Sequence, residues 1–170
     1  AMPALADQGA DLVNHKTNFD STLQHWAPLT FSLWSARFAH LAEELGEKMT
    51  ETLRYWMEEG NVVKGVEVQR ANEARTRLFR EVESWFADID LLVTPTLTRP
   101  AIAVDHDPRE PIKLDNQTAD VPRVSWYPYT HPFNLSGHPA ITVPCGFTSG
   151  GLPVGLQIVG PWLGDDKVLH

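Results

Sequence analysis

The chain of 170 residues has a single cysteine, Cys145, so no disulfide can form within it and packing must hold it together. One unpaired thiol fits a reducing compartment, and a cytoplasmic location is expected. Basic residues are scarce: 14 Lys and Arg stand against 22 Asp and Glu, for a formal charge of −8. That leaves no basic stripe to neutralise phosphates and no polybasic patch for a lipid surface, so neither a nucleic acid nor a membrane is expected as a partner. No apolar run reaches the roughly eighteen residues of a membrane-crossing helix, and the first residues carry neither a charged n-region nor an apolar h-region. A soluble, unexported protein is the expectation. Glycine-rich phosphate cradles between a strand and a helix are also missing, so nucleotide binding has no support.

Hydrophobic residues make up 42%, with six tryptophans, which excludes disorder and suits one domain with its own core. Residues 3–23 suggest a brief helix leading into a brief strand at 9–13. From about Phe31, the apolar positions Phe38, Leu41, Ala42, Leu45, Met49, Leu53, Trp56 and Met57 recur at helical steps opposite Glu43, Glu44, Glu47, Lys48, Glu51 and Arg54. This spacing predicts one long amphipathic helix ended by Gly60-Asn61. A second follows, with Ala71, Ala74, Leu78, Val82, Trp85, Phe86 and Ile89 on one face. Residues 91–94, 140–143 and 156–159 are short, continuously apolar runs, the pattern of strands buried on both faces. The last two read as a hairpin around the glycines of Thr148-Ser149-Gly150-Gly151. Residues 98–124, rich in proline and acidic groups and without a period, predict a long surface loop. Asp165-Asp166 has the character of a helix N-cap and first turn. The expected fold is α/β: a helical layer of two long helices on a small mixed β-sheet with a C-terminal hairpin, in one partial domain over residues 1–170.

Few residues announce chemistry. Ser136, in Asn134-Leu135-Ser136-Gly137-His138, lacks the leading glycine of a nucleophile elbow and reads as a turn before a strand. Ser149 is flanked by glycines, which suits a hairpin turn better than an exposed nucleophile. Cys145 has no neighbouring cation or histidine in sequence to activate it and reads as an inert thiol. His131 and His138, and the string Asp105-His106-Asp107, match no metal-ligand spacing, so no metal and no other cofactor are expected.

Several strings together are distinctive. Asp90-Leu91-Leu92-Val93-Thr94-Pro95-Thr96 is followed by Pro100-Ala101, then by Tyr129-Thr130-His131-Pro132-Phe133-Asn134-Leu135-Ser136-Gly137-His138-Pro139-Ala140-Ile141-Thr142-Val143-Pro144-Cys145-Gly146, then by Gly151-Leu152-Pro153-Val154-Gly155-Leu156-Gln157-Ile158-Val159-Gly160. In order and spacing this resembles the C-terminal part of amidase signature enzymes. The preceding helices fit the same register, so the resemblance spans essentially the whole chain yet less than half of the family's usual length.

The resemblance implies amide-bond cleavage by a Ser-Ser-Lys arrangement, in which a neutral lysine deprotonates a bridging serine on a cis peptide bond and thereby activates the nucleophilic serine. Burial favours the neutral lysine, and a non-proline cis bond is costly enough to occur only where geometry demands it. Those residues belong to an N-terminal glycine- and serine-rich segment and an upstream lysine. No such segment occurs here, and Lys16, Lys48, Lys64, Lys113 and Lys167 do not match the lysine position, so no catalytic residue is assigned. What the resemblance carries over is cleft wall: residues 126–134 are expected near the acyl-binding cleft, with Tyr129, Thr130 and Phe133 as substrate contacts. Relatives that feed ammonia to transfer-RNA-bound amino acids usually have an acidic residue shortly before the Thr-x-Pro-x-Asn string. Tyr127-Pro128-Tyr129 stands there instead, which favours a general amidase. The expected function is thus the C-terminal portion of an amidase, inactive alone, taking a small-molecule amide only in the complete enzyme. The alternative is a non-catalytic binding or oligomerisation module. Strands needing cover on both faces predict exposed apolar surface and a homo-oligomer.

Overall fold

The computed structural model describes residues 1–17, 19, 22–114 and 117–170. It begins with helix α1 (Met2–Asp7), in which no residue is buried. The expected strand at 9–13 does not form. This segment and residues 88–93 line an open groove, and it carries none of the ladder pairing that defines a strand.

The predicted long helix is two helices. α2 (Thr22–Leu45) starts well before Phe31 and tolerates Pro28 within it, and α3 (Glu51–Asn61) follows a 3₁₀ turn at Gly46–Lys48. Gly46 takes φ +51° at the break, and Thr50 caps the new helix by accepting from Leu53 N–H at 3.4 Å. The two helices pack closely: Gly60 of α3 meets the backbone of Phe31, and Ser35 Oγ donates to Met57 O. Aromatic side chains fill the seam, with Phe31 and Trp56 stacked at 4.6 Å. Helix α4 (Gly65–Trp85) forms where its period predicts and buries Ala71, Ala74, Val82 and Trp85. Lys64 N–H is held by the Glu67 carboxylate at 2.8 Å, which secures its start.

Strand β1 (Leu92–Pro95) comes next. The predicted loop after it is not structureless: it contains a short antiparallel pair, β2 (Lys113–Leu114) and β3 (Gln117–Thr118), and the one-turn helix α5 (Pro122–Ser125). Buried Ile112 anchors it, which explains how a period-free segment acquires local order. Helix α6 (His131–Ser136) then leads into β4 (Ala140–Phe147) and β5 (Pro153–Val159). These form the expected hairpin, with Gly151 at φ +80° in its turn. The final helix α7 (Asp165–Leu169) is N-capped by Gly164, so Asp165 and Asp166 occupy its first turn rather than the cap.

Helices on a small sheet with a C-terminal hairpin is the fold class the sequence predicts. The sheet has the order β1-β5-β4, and each of its pairings is antiparallel. Register decides what each face carries, because residues paired across a ladder point the same way. Leu92, Val159 and Ala140 are aligned, as are Thr94, Gln157 and Thr142. The first set meets the helices: Leu92 and Val159 join Val82, Trp85 and Phe133 in the core. On the opposite face Val93, Ile158, Ile141, Leu156 and Val143 form an apolar, half-buried row. The helix-facing side is therefore not apolar throughout, as the runs suggested. It turns polar at Thr94, Gln157 and Thr142, beyond the reach of the core.

Candidate cleft wall at the polar end of the sheet

Gln157 is buried in the middle of the sheet, and its amide nitrogen donates to Thr94 Oγ1 at 3.0 Å and to the Tyr129 carbonyl at 2.9 Å. A buried amide without partners would be costly, so these bonds fix the approach to α6 against β1 and β5. Further along the same face, Thr96 Oγ1 donates to Thr142 Oγ1 at 3.2 Å. Gly155 lies between them: a Cβ there would come within 2.8 Å of Thr142 Cγ2 and 3.0 Å of Thr96 Oγ1. The lack of a side chain at Gly155 leaves a depression in the sheet surface.

That depression opens into a cavity of about 370 Å³, within the size range of small-molecule sites. Thr96, Thr142 and Gly155 form its floor, while Leu97, Pro144, Val154 and Trp126 supply much of the apolar wall. Two chain segments far apart in sequence are joined to build this wall. Trp126 Nε1 donates to the Arg99 carbonyl at 3.1 Å, and Thr98 N–H donates back to the Trp126 carbonyl at 3.3 Å. Arg99 itself lines the cavity, and its Nε and Nη1 atoms are buried with no hydrogen-bond partner among the described residues.

The three expected substrate contacts have different surroundings. Tyr129 and Thr130 are half-buried just before α6; the Tyr129 carbonyl takes the Gln157 amide, and Thr130 Oγ1 donates to the Tyr127 carbonyl at 3.0 Å. Phe133 is 3% exposed and packs in the core, edge-on to Phe19 at 5.7 Å. None of the three lines the cavity, to which the same stretch contributes Trp126. Arg99 and Gln157 were not legible as site residues, because the first lies in a segment without a period and the second inside an apolar strand.

One serine–histidine pair does form. His138 Nδ1 is 2.9 Å from Ser136 Oγ, and His138 Nε2 is 2.9 Å from Glu83 Oε2. The spacing is that of a nucleophile, base and orienting acid. Yet Ser136 is 6% and His138 4% exposed, and the Phe79, Phe86 and Trp162 rings surround the imidazole. Glu83 also accepts the Trp162 backbone N–H at 3.0 Å, which is the main reason its carboxyl is held below the ordinary value of 4.5; the His138 hydrogen bond and charge act the same way, against burial. The array clamps α4, the end of α6 and the loop before α7 together. In the 98–124 segment, Asp107 is gripped by the Arg109 side chain and backbone and is pushed down to about 2, while His106 Nε2 lies 3.2 Å from the Glu110 carbonyl.

A family profile described as Amidase matches residues 5–169. The chain belongs to the amidase family. Its curated relatives include a glutamyl-tRNA(Gln) amidotransferase subunit from Halothermothrix orenii, 38% identical over 101 residues, which are 59% of this chain and 19% of that protein. Its counterpart from Brevibacillus brevis is 39% identical over 102 residues, again 19% of its length. Among solved structures, an amidase superposes with a TM-score of 0.83 at 22% identity, over 98% of this chain and 37% of its own. A 6-aminohexanoate cyclic dimer hydrolase complexed with substrate gives 0.70 at 26% identity, over the same two shares. The amidase-family chain thus spans little more than a third of these solved relatives. Among its described residues no helix is long and apolar enough to cross a membrane.

Proposed function

We propose that this chain forms one wall of an amide-hydrolysing cleft, and that the Ser-Ser-Lys machinery lies in a separate N-terminal portion, so that residues 1–170 alone do not turn over amides. The supporting observation is a preformed cavity walled by Trp126 and Arg99 on the polar end of the sheet, in a chain of the amidase family in which the Ser136–His138 pair is buried away from solvent. Tyr129 and Thr130, half-buried just before α6 and outside the cavity lining, are proposed to face substrate where the N-terminal portion completes the cleft. Phe133 acts through α6, which its ring anchors in the core. Small-molecule amides are favoured over an amidotransferase role by Tyr127-Pro128-Tyr129, which stands where an acidic residue of that branch is expected. The test is release of 4-nitroaniline from 4-nitroacetanilide by the purified chain. Background release is expected, and sustained turnover would overturn the reading.

The half-buried row Val93, Ile141, Val143, Leu156 and Ile158 favours a second element of the proposal, self-association through this sheet face. Gel filtration is expected to show a species larger than 19.0 kDa. A monodisperse monomer at all concentrations would contradict it.

A further inference from the structure

Strand β1 stands at the end of the sheet, so one of its two sides carries no ladder. Which backbone groups point to that side follows from a single bond. Thr96 N–H donates to the Gly155 carbonyl at 3.1 Å, one step beyond the Pro95–Leu156 pair. Along an antiparallel ladder, residues that exchange hydrogen bonds with the partner alternate with residues whose backbone groups point away from it. Leu92, Thr94 and Thr96 therefore bond to β5. The Leu91 carbonyl and both the N–H and the carbonyl of Val93 point to the open side, and no backbone hydrogen bond among the described residues uses them. The Pro95 carbonyl points the same way but accepts the Thr94 hydroxyl at 3.1 Å.

An open groove of about 880 Å³ follows this side. Its lining includes Leu92, which joins the core under the helices, and also Val93 and Ile158, which belong to the opposite face, so it wraps the outer edge of β1. Residues 9–15 form the far bank without entering the ladder. Asp11, Asp88 and Asp90 stand on the two banks, and no Lys or Arg is among the described lining residues. Natural sheet edges are blunted by lysine, by proline or by a covering element. Pro95 ends this edge, but the stretch from Leu91 to Val93 has no such device.

We propose that the groove takes an extended peptide segment, apolar at alternate positions and flanked by basic residues, which adds to the sheet as a fourth strand beside β1. Its backbone bonds to Val93 and to the Leu91 carbonyl supply the hold, and the residue opposite Val93 prolongs the apolar row of Val93 and Ile158. Its basic ends answer the acidic banks. A second copy of this chain is the poorer occupant, because pairing β1 with β1 brings Asp88 and Asp90 of both copies together. The edge is separate from the cavity over Gly155, and its occupation does not depend on amide hydrolysis.

The experiment is titration of the ¹⁵N-labelled full chain with acetyl-Lys-Val-Thr-Val-Lys-amide. The Val93 amide resonance is expected to move downfield and its hydrogen exchange to slow at least tenfold. The analogue with glutamates in place of the lysines is expected to bind at least tenfold more weakly, a preference that Asp88→Asn with Asp90→Asn reduces. N-methylation of both valines removes the donors that face the Val93 carbonyl and is expected to abolish binding. An unmoved Val93 resonance at millimolar peptide, equal binding of the glutamate analogue, or full binding by the N-methylated peptide would overturn the proposal. So would a Val93 amide that gains protection as the chain alone is concentrated, since the occupant would then be a second copy. The glutamate and N-methyl comparisons use the unaltered chain, so they decide the matter even where the double variant does not fold.

Discussion

Glu83 lies in the last turns of α4, with its side chain 43% exposed, and it serves two partners, the buried His138 imidazole and the Trp162 N–H. Its carboxyl is held below 4.5 in the folded chain, first by the Trp162 N–H and then by His138, so the folded state binds this proton less readily than the unfolded state. The sign of the linkage follows: the contribution is complete above the unfolded value and is lost as pH falls through the lower, folded one. Glu83→Gln is therefore expected to flatten the acid limb of a plot of Tm against pH below roughly pH 5. Identical slopes for both proteins would show that the clamp carries no such linkage. At this scale the sequence was only partly informative. The Ser136-Gly137-His138 string was visible, but not Glu83, which the fold brings to it from 55 residues away. The sequence suggests Phe133 as a substrate contact, but its ring joins Val82 and Val159 in the core, a placement that depends on α6 forming. Arg99 had no sequence signal, because it lies in a segment without a period and its backbone carbonyl is tied to Trp126, 27 residues later.

Helix α4 and the β4–β5 hairpin were legible because their signals are local: a sustained helical period in one, apolar runs around a glycine turn in the other. The α2–α3 break was not, because the apolar steps from Phe38 to Met57 continue in phase across the 3₁₀ turn at Gly46–Lys48. Periodicity registers which residues face the core, and a tight turn that preserves the facing side is invisible to it. The same applies to Gly60, which reads as a helix stop but is buried inside the end of α3 against Phe31 and Ser35. A methyl group there would collide with the Phe31 backbone, which cannot move aside without separating the helices. Gly60→Ala is expected to cost about 2–3 kcal/mol by overpacking, more than offsetting the usual helix-propensity gain of about 1 kcal/mol. Chemical denaturation measures this directly; an unchanged or raised midpoint would mean that the seam between α2 and α3 is looser than described.

For the whole molecule, the two faces of one small sheet divide its roles. Helices cover the Leu92–Val159 end of one face, and where they stop, the polar residues Thr94, Gln157, Thr142 and Thr96 lead into the cavity. The other face keeps its apolar row half open to solvent. Family membership was readable from the strings around β1, α6 and the hairpin, since these combine a strand, a proline stop and a glycine turn in fixed order. The cavity was not, because its floor comes from β1, β4 and β5 and its wall from two loops. The central proposal is that this part of an amidase-family fold forms a cleft wall and does not turn over amides by itself. Initial rates of 4-nitroaniline release from 4-nitroacetanilide, for the purified chain and for Ser136→Ala, test it most directly. The account predicts background rates for both; enzyme-dependent release by the unaltered chain that Ser136→Ala abolishes would contradict it.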